Sequence, residues 1–197
     1  MSSTAERIRA MDEQGIDVEA LSINPYWYSA DRDVASKLIQ LQNETLAEIC
    51  AAQPDRFVAF ATVALQHPDL AVEQLEQGVK KYGLRGAGLG GSVDGLELSD
   101  PKFHPFWARP SSSASSCSST LWARPSWSGR GRLEGNGLLT NTIGNPLGTT
   151  IALSHLIFEG TLDRFPGLKI CAAHGGGYLP SYARAVQRGA DDLPPAA

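Results

Sequence analysis

The hydrophobic pattern of the chain switches repeatedly between a helical and an extended period. Over residues 4–14, Ile8 and Met11 share one helical face and Gly15 follows as a cap, which predicts a helix leading into a strand at residues 18–23. Asn24-Pro25 closes that strand. From Asp31 a second helix is predicted, with Val34, Leu38, Leu41 and Ile49 turned inward, ending before Pro54. Residues 57–65 read as the next strand. Pro68 opens a third helix with Val72, Leu75, Val79 and Tyr82 at helical spacing, Gly83 caps it, and residues 84–89 form a third strand running into Gly90-Gly91. Asp100-Pro101 reads as an N-cap and first helical residue, with Phe103, Phe106 and Trp107 available for packing. Such βα alternation predicts an α/β fold with a parallel sheet.

The alternation stops at residues 110–131. Seven of the nine residues in 111–119 are serine, and the stretch beyond them has neither period. A Ser-rich linker between domains is the ordinary reading of such a composition, and Trp122 and Trp127 fit it poorly. Order resumes with Asn145-Pro146, which starts a helix through Ile151, Leu153, Leu156, Ile157 and Leu162 that Pro166-Gly167 ends. Residues 168–173 then predict a short buried strand delivering His174 to the turn Gly175-Gly176-Gly177. A histidine where a parallel strand ends lies at the functional rim of a β/α barrel. Its imidazole is the side chain best suited to moving protons near neutral pH, so His174 is the candidate catalytic residue.

Composition narrows the possibilities further. The 197 residues are 42% hydrophobic and include four Trp, enough for an ordinary core. A net charge of -4 without a basic cluster leaves no electrostatic footprint for nucleic acid, and no apolar run reaches membrane-spanning length. The N-terminus lacks the apolar stretch of a secretion signal, and the three cysteines are widely spaced, so a reducing cytoplasm is expected.

Other polar residues carry weaker signals. Asn24, Tyr26 and Tyr28 follow the first predicted strand and could line a substrate pocket, although Asn-Pro turns are also ordinary punctuation. Arg85 could meet a substrate carboxylate as a two-pronged donor or serve as a salt-bridge partner. His67 precedes Pro68 at a strand-to-helix junction, which favours a capping or solvent role. His104 and His155 fall on predicted helices as surface or core-edge residues, and Asp163-Arg164 as a structural charge pair.

Several segments in order carry a family resemblance: Met11-Asp-Glu-Gln-Gly-Ile-Asp17, Leu21-Ser-Ile-Asn-Pro25, Asn141-Thr-Ile-Gly-Asn-Pro-Leu147, Phe158-Glu-Gly-Thr-Leu-Asp-Arg-Phe-Pro166 and His174-Gly-Gly-Gly177. Over about residues 5–109 and 132–183 the chain resembles the amidohydrolase-related decarboxylases, which include aminocarboxymuconate-semialdehyde, γ-resorcylate and carboxyvanillate decarboxylases. The resemblance implies a (β/α)8 barrel of the metal-dependent hydrolase type. It also implies non-oxidative decarboxylation of an aromatic or unsaturated carboxylic acid, with hydrolysis of a lactone or amide as the alternative on the same barrel. A divalent metal, zinc or manganese, is implied by the family, held by a His-x-His pair on the first strand, a histidine on the fifth and an aspartate on the eighth. His174 matches the acid/base histidine on the sixth strand. A small carboxylic acid is the implied partner, in a homo-oligomer in the intact family.

The chain departs from that pattern at every metal ligand, and no complete metal set is expected. The fold expected is therefore a partial barrel. Residues 1–109 would supply its second to fourth strands, 110–131 an aberrant Ser-rich segment, 132–183 a helix and the sixth strand, and 184–197 an irregular tail. The first, seventh and eighth strands would be lacking and the fifth disrupted. Little or no activity is expected of this polypeptide, and a non-catalytic half-barrel or binding module is the competing class.

The missing fifth-strand histidine falls where the composition is aberrant, which points to a shifted reading frame. Back-translated with GC-rich codons and read one nucleotide earlier, residues 116–127 permit a buried strand ending in His-Pro. The overlap of Trp122 and Ala123 forces a glycine in that frame, whereas the histidine requires a C at the third position of the Ser119 codon. Sequencing the source DNA across codons 105–135 tests this. The expected outcome is a one-base insertion or deletion whose correction restores the His-Pro strand; an uninterrupted frame would establish the Ser-rich stretch as a linker.

Overall fold

The computed structural model of the chain describes residues 4–109 and 133–182. The Ser-rich stretch 110–131 and the tail 184–197, both singled out above, lie outside the described residues. Helix α1 (Thr4–Gln14) ends as its sequence predicts: Gly15 takes φ +68°, and the Ile16 N–H reaches the Met11 carbonyl at 2.9 Å in a Schellman closure. Strand β1 (Glu19–Leu21) follows.

Helix α2 (Arg32–Ala52) starts at Asp31, whose carboxylate accepts the Val34 N–H at 3.0 Å. Its buried stripe is Ala35, Ile39, Asn43 and Leu46. This corrects the expected phase, since Val34, Leu38 and Leu41 are exposed and only Ile49 packs against the core. Side-chain hydrophobicity points one way and the buried stripe another. The stripe observed turns small Ala35 and the amide of Asn43 toward the sheet, where Asn43 meets a hydrogen-bonding demand that Leu38 and Leu41 cannot meet.

That demand comes from the central strand. Strands β2 (Phe57–Ala59) and β3 (Ala61–Thr62) are two pieces of one run: β2 pairs in parallel with β1, and β3 pairs in parallel with β4 (Ala87–Gly88). The Phe60 N–H donates to the Leu21 carbonyl at 2.9 Å and the Arg85 N–H to the Ala59 carbonyl at 2.8 Å, so residues 57–62 lie between the other two strands. The ladders are shorter than the predicted runs 57–65 and 84–89. Val63, Ala64 and Leu65 are fully buried but leave the ladder, and side chains take over their backbone groups. Asn43 receives the Thr62 N–H at 2.8 Å and donates to the Thr62 carbonyl at 3.0 Å; Gln74 receives the Ala64 N–H at 2.8 Å; Trp27 Nε1 donates to the Val63 carbonyl at 2.9 Å.

Helix α3 (Pro68–Lys80) carries Gln74 and presses on β3 so closely that a Cβ at Gly78 would stand 2.8 Å from the Ala61 Cβ. After β4 comes a hairpin, β5 (Ser92–Val93) and β6 (Leu96–Glu97), whose Asp94-Gly95 tip has positive φ at both residues, the tight turn that matches strand twist. Asp100 caps a 3-10 turn by accepting the Lys102 N–H at 2.8 Å, and the short helix α4 (His104–Trp107) buries Phe106 and Trp107.

A π-helical turn at Thr140–Gly144 leads into α5 (Asn145–Phe158). The predicted continuation through Leu162 breaks at Gly160, which takes φ +73°, and a short helix α6 (Thr161–Arg164) follows. Ala152 and Leu156 of α5 join the core formed by Trp27, Val63, Leu65, Leu89 and Phe106. The strand expected at residues 168–173 is not formed: these residues pair with no strand among the described residues and are half-buried or exposed, with Cys171 exposed. Apolar composition there is satisfied by packing Leu168 and Ile170 against the core edge. No described helix is long and apolar enough to cross a membrane.

Replacing Asn43 by alanine strands the buried Thr62 N–H and carbonyl and is expected to lower unfolding stability by about 2–4 kcal/mol. Urea denaturation checks this. Leu41→Ala, on the exposed side of the same helix, is expected to change stability by only about 0.5 kcal/mol or less.

Candidate functional site

An open cleft of about 380 Å³ lies where β1 and β4 end. The chain leaving β1 supplies Asn24, Tyr26 and Tyr28, the chain leaving β4 supplies Gly90, Ser92 and Asp94, and the π-turn and α5 supply Thr140, Asn141 and Asn145. Carboxyl ends of parallel strands are where α/β folds place ligands, because the connecting loops there vary without disturbing the sheet.

The wall from residue 24 to residue 30 is stitched down by buried groups. Gln66 Nε2 donates to the Trp27 carbonyl at 2.8 Å and to the Ala30 carbonyl at 3.2 Å, and the Trp27 indole is anchored on Val63. Tyr28 is buried with its ring edge-on to Trp27, and its hydroxyl accepts the Gly90 N–H at 3.1 Å. Only glycine fits position 90, since a Cβ would lie 2.8 Å from the Tyr28 ring. Tyr26, by contrast, is 80% exposed and receives a hydrogen bond from the Asn24 amide at 3.1 Å. The lining is therefore amides, hydroxyls and aromatic faces with one carboxylate, Asp94, and no cationic side chain among the described lining residues. Such a wall suits a flat ring bearing hydrogen-bonding substituents.

His174 is held against another part of α5. It sits on a 3-10 turn (His174–Gly176) with φ +54°, a left-handed conformation uncommon outside glycine. Its Nδ1 lies 2.9 Å from the hydroxyl of Thr149, which is fully buried on α5. The next residue, Thr150, accepts the Tyr178 N–H at 2.8 Å, and Gly177 packs against Pro146 and Thr150 with no space for a side chain. Asn145, which lines the cleft, and Thr149, which holds His174, are four residues apart on α5. That spacing puts them on one face about 6 Å apart along the axis. Partial burial pushes the His174 imidazole below its usual range by disfavouring the charged form.

The sequence-predicted residues thus separate into groups. Asn24 and Tyr28 meet in the cleft, together with Tyr26, and His174 stands beside the same helix. Arg85 does not join them: it is exposed at the start of the strand that β4 continues, and it does not line the cleft. His67 occupies the N-cap position of α3 without a side-chain cap bond, and its Nε2 is buried with no partner among the described residues. His104 packs edge-on to Phe165 at 5.4 Å, and His155 pairs with Glu159, as core-edge and surface residues. The Glu159 carboxyl is held low by the hydroxyl of Ser99 and then by His155. Sequence reasoning missed the hairpin and its Asp94, although Asp94-Gly95 is a turn signal, and it missed Thr149, for which no local signal exists.

Among the described residues no group of three or more His, Cys, Asp or Glu is placed to hold a metal ion. Elsewhere the chain adds only Cys117, Asp191 and Asp192 of those types.

Comparison with known proteins gives a consistent set of likenesses. A family model described as amidohydrolase matches residues 1–194. The chain is 34% identical over 205 residues to a gamma-resorcylate decarboxylase of Rhodococcus jostii, covering 96% of this chain and 62% of that protein. It is 28% identical over 192 residues to a 2-amino-3-carboxymuconate-6-semialdehyde decarboxylase of Dictyostelium discoideum, covering 95% of this chain and 52% of the relative. In structure it is similar, with a TM-score of 0.84 and 30% identity, to a 2,6-dihydroxybenzoate decarboxylase complexed with 2,6-dihydroxybenzoate, covering 99% of this chain and 63% of that one. A 5-carboxyvanillate decarboxylase from Novosphingobium aromaticivorans, complexed with manganese and a nitrobenzoic acid, gives a TM-score of 0.84 at 27% identity, covering 93% of this chain and 53% of that one. The chain thus spans between about half and two thirds of the length of these relatives.

Because burial depresses the folded-state pKa of His174, its neutral form contributes stability that is present above the ordinary histidine pKa and is lost as pH falls through the folded value. Histidine-selective NMR titration is expected to place the midpoint of His174 below 6.5. A midpoint at or above that value would contradict the burial described.

Proposed function

The chain belongs to the amidohydrolase family, and from that premise we propose that the cleft and His174 are part of a carboxy-lyase site for non-oxidative removal of CO2 from an aromatic or unsaturated carboxylic acid. The observation that carries this reading is the shared face of α5, which presents Asn145 to a cleft suited to flat rings and Thr149 to the one half-buried imidazole at a glycine turn. The named activities of the relatives, on 2,6-dihydroxybenzoate and carboxyvanillate among others, support the same class of substrate. On this reading the parallel segments β1 to β4 with α1 to α3 are part of a (β/α)8 barrel, and α5 with the His174 turn is a later part of it.

The chemistry asked of this chain is positional. Asn24 and Tyr28 bind and orient the ring. Breaking the bond to CO2 leaves an electron pair on a ring carbon, which must take up a proton. A neutral imidazole close to its pKa can collect that proton from water and pass it on. The manganese in a related structure would supply electrostatic stabilisation of the carboxylate in that protein. The donor set here does not fit such an ion among the described residues. On this reading the polypeptide as it stands binds the acid and turns it over little or not at all.

Two assays on the purified 197-residue chain test the proposal. With 2,6-dihydroxybenzoate and excess manganese, no CO2 release and no stoichiometric metal are expected; turnover would overturn the inactive reading. By calorimetry, 2,6-dihydroxybenzoate is expected to bind weakly and Tyr28→Ala to weaken it by about tenfold, the equivalent of about 1.4 kcal/mol. Absence of binding, or binding indifferent to Tyr28, would remove the cleft from the substrate site, and hydrolysis of a lactone or amide without CO2 would replace the lyase reading.

A further inference from the structure

Three side chains of the cleft come from one short segment: Thr140 and Asn141 of the π-turn, and Asn145, the first residue of α5. In a regular α-helix positions 140 and 145 would stand about 140° apart around the axis and would face different sides. Here the Asn145 N–H reaches back five residues to the Thr140 carbonyl, so Asn145 sits one wide turn above Thr140 and both meet the same space. The departure is local. The Thr142 N–H still bonds four residues back to the Leu138 carbonyl at 3.0 Å, and the helix is regular from Asn145 onward. A π-turn is an α-turn holding one residue more, and such turns gather at functional sites. Thr142 and Ile143, inside this one, are both exposed, so packing of their side chains does not account for the extra residue.

The two asparagines are linked. Asn145 Nδ2 donates to Asn141 Oδ1 at 3.3 Å. That contact turns the Asn141 oxygen toward α5 and leaves its Nδ2, with two protons, as the end of the side chain available to a ligand in the cleft it lines. An aromatic acid with a hydroxyl beside its carboxylate has the matching need. Its hydroxyl proton turns inward to the carboxylate, so the hydroxyl oxygen meets the protein as an acceptor and calls for an N–H donor.

We propose that the π-turn Thr140–Gly144 positions the Asn141 carboxamide to donate a hydrogen bond to the hydroxyl oxygen of an ortho-hydroxylated aromatic acid, which makes Asn141 a specificity-determining residue of the cleft. This rests on the reading of the cleft as the ring site of a carboxy-lyase. Two consequences follow from the geometry. Ala152 and Leu156 anchor α5 in the core, so removing one residue from the turn rotates the segment before it by about 100° relative to α5 and carries Asn141 off the cleft. A carboxylate at position 141 would set acceptor against acceptor, so Asn141→Asp keeps the shape and loses the donor.

Calorimetry of the 197-residue chain with 2,6-dihydroxybenzoate and with benzoate, which differ only in the two hydroxyls, reads the preference directly. The unsubstituted chain is expected to bind the dihydroxy acid about tenfold more tightly, the effect of one charge-assisted hydrogen bond. Asn141→Ala and deletion of Ile143 are each expected to abolish that preference while leaving benzoate binding unchanged, and Asn141→Asp to bind the dihydroxy acid no better than Asn141→Ala. Tyr28→Ala, which acts on the ring, weakens both acids alike. A π-turn with a merely structural role would on deletion weaken both acids together and lower the thermal unfolding midpoint. That result would overturn the proposal, as would a preference that persists in Asn141→Ala or Asn141→Asp. Should the Ile143 deletion fail to fold, removing Thr142 makes the same conversion, and the two Asn141 variants decide the contact on their own. Binding of both acids without preference in the unsubstituted chain sinks this proposal alone; binding of neither sinks the ring site and this proposal together.

Discussion

The structure depends on how the central strand stops. Residues 57–62 run between two parallel neighbours, and beyond Thr62 the chain stays buried while its ladder ends. A buried backbone without partners costs about 1–3 kcal/mol for each stranded group. Asn43 from α2, Gln74 from α3 and the Trp27 indole meet those groups in turn. The helices are thereby locked to the strand in one rotation and one height, which apolar packing alone leaves loosely specified.

The same solution builds the cleft. Trp27 and Gln66 tie the loop after β1 to the run after β3, and that loop is the wall bearing Asn24, Tyr26 and Tyr28. Tyr28 then reaches across to Gly90 beyond β4. Three consecutive strand ends are joined through buried side chains, so the binding surface is continuous with the core. The C-terminal part is attached differently: α5 packs Ala152 and Leu156 into the core and holds the His174 turn through threonine hydroxyls.

Local signals in the sequence were read correctly where one interaction dominates. The Gly15 closure of α1, the Asp31 cap of α2 and the Asp100 cap each need only a few adjacent residues. The βα alternation likewise gave the parallel pairing. The misreadings share a cause. Val34, Leu38 and Leu41 form an apolar stripe as regular as the buried one, so periodicity cannot choose between them. Residues 168–173 are apolar enough for a buried strand, yet pairing depends on a neighbour that composition does not reveal. Arg85, exposed ahead of β4, stands away from the cleft.

The sequence by itself determined the family, the helix and strand alternation from α1 to β4, the caps, and the residue types available for proton transfer, because motifs and periodicities are properties of neighbours along the chain. Only the tertiary structure decided which face of α2 is buried, that the cleft draws on the ends of β1 and β4 together with α5, and that Thr149 is the residue against the imidazole. Those are pairings between positions 19 to 62 residues apart. Their energy comes from satisfying buried polar groups, a demand that exists only once the chain has folded and water has left.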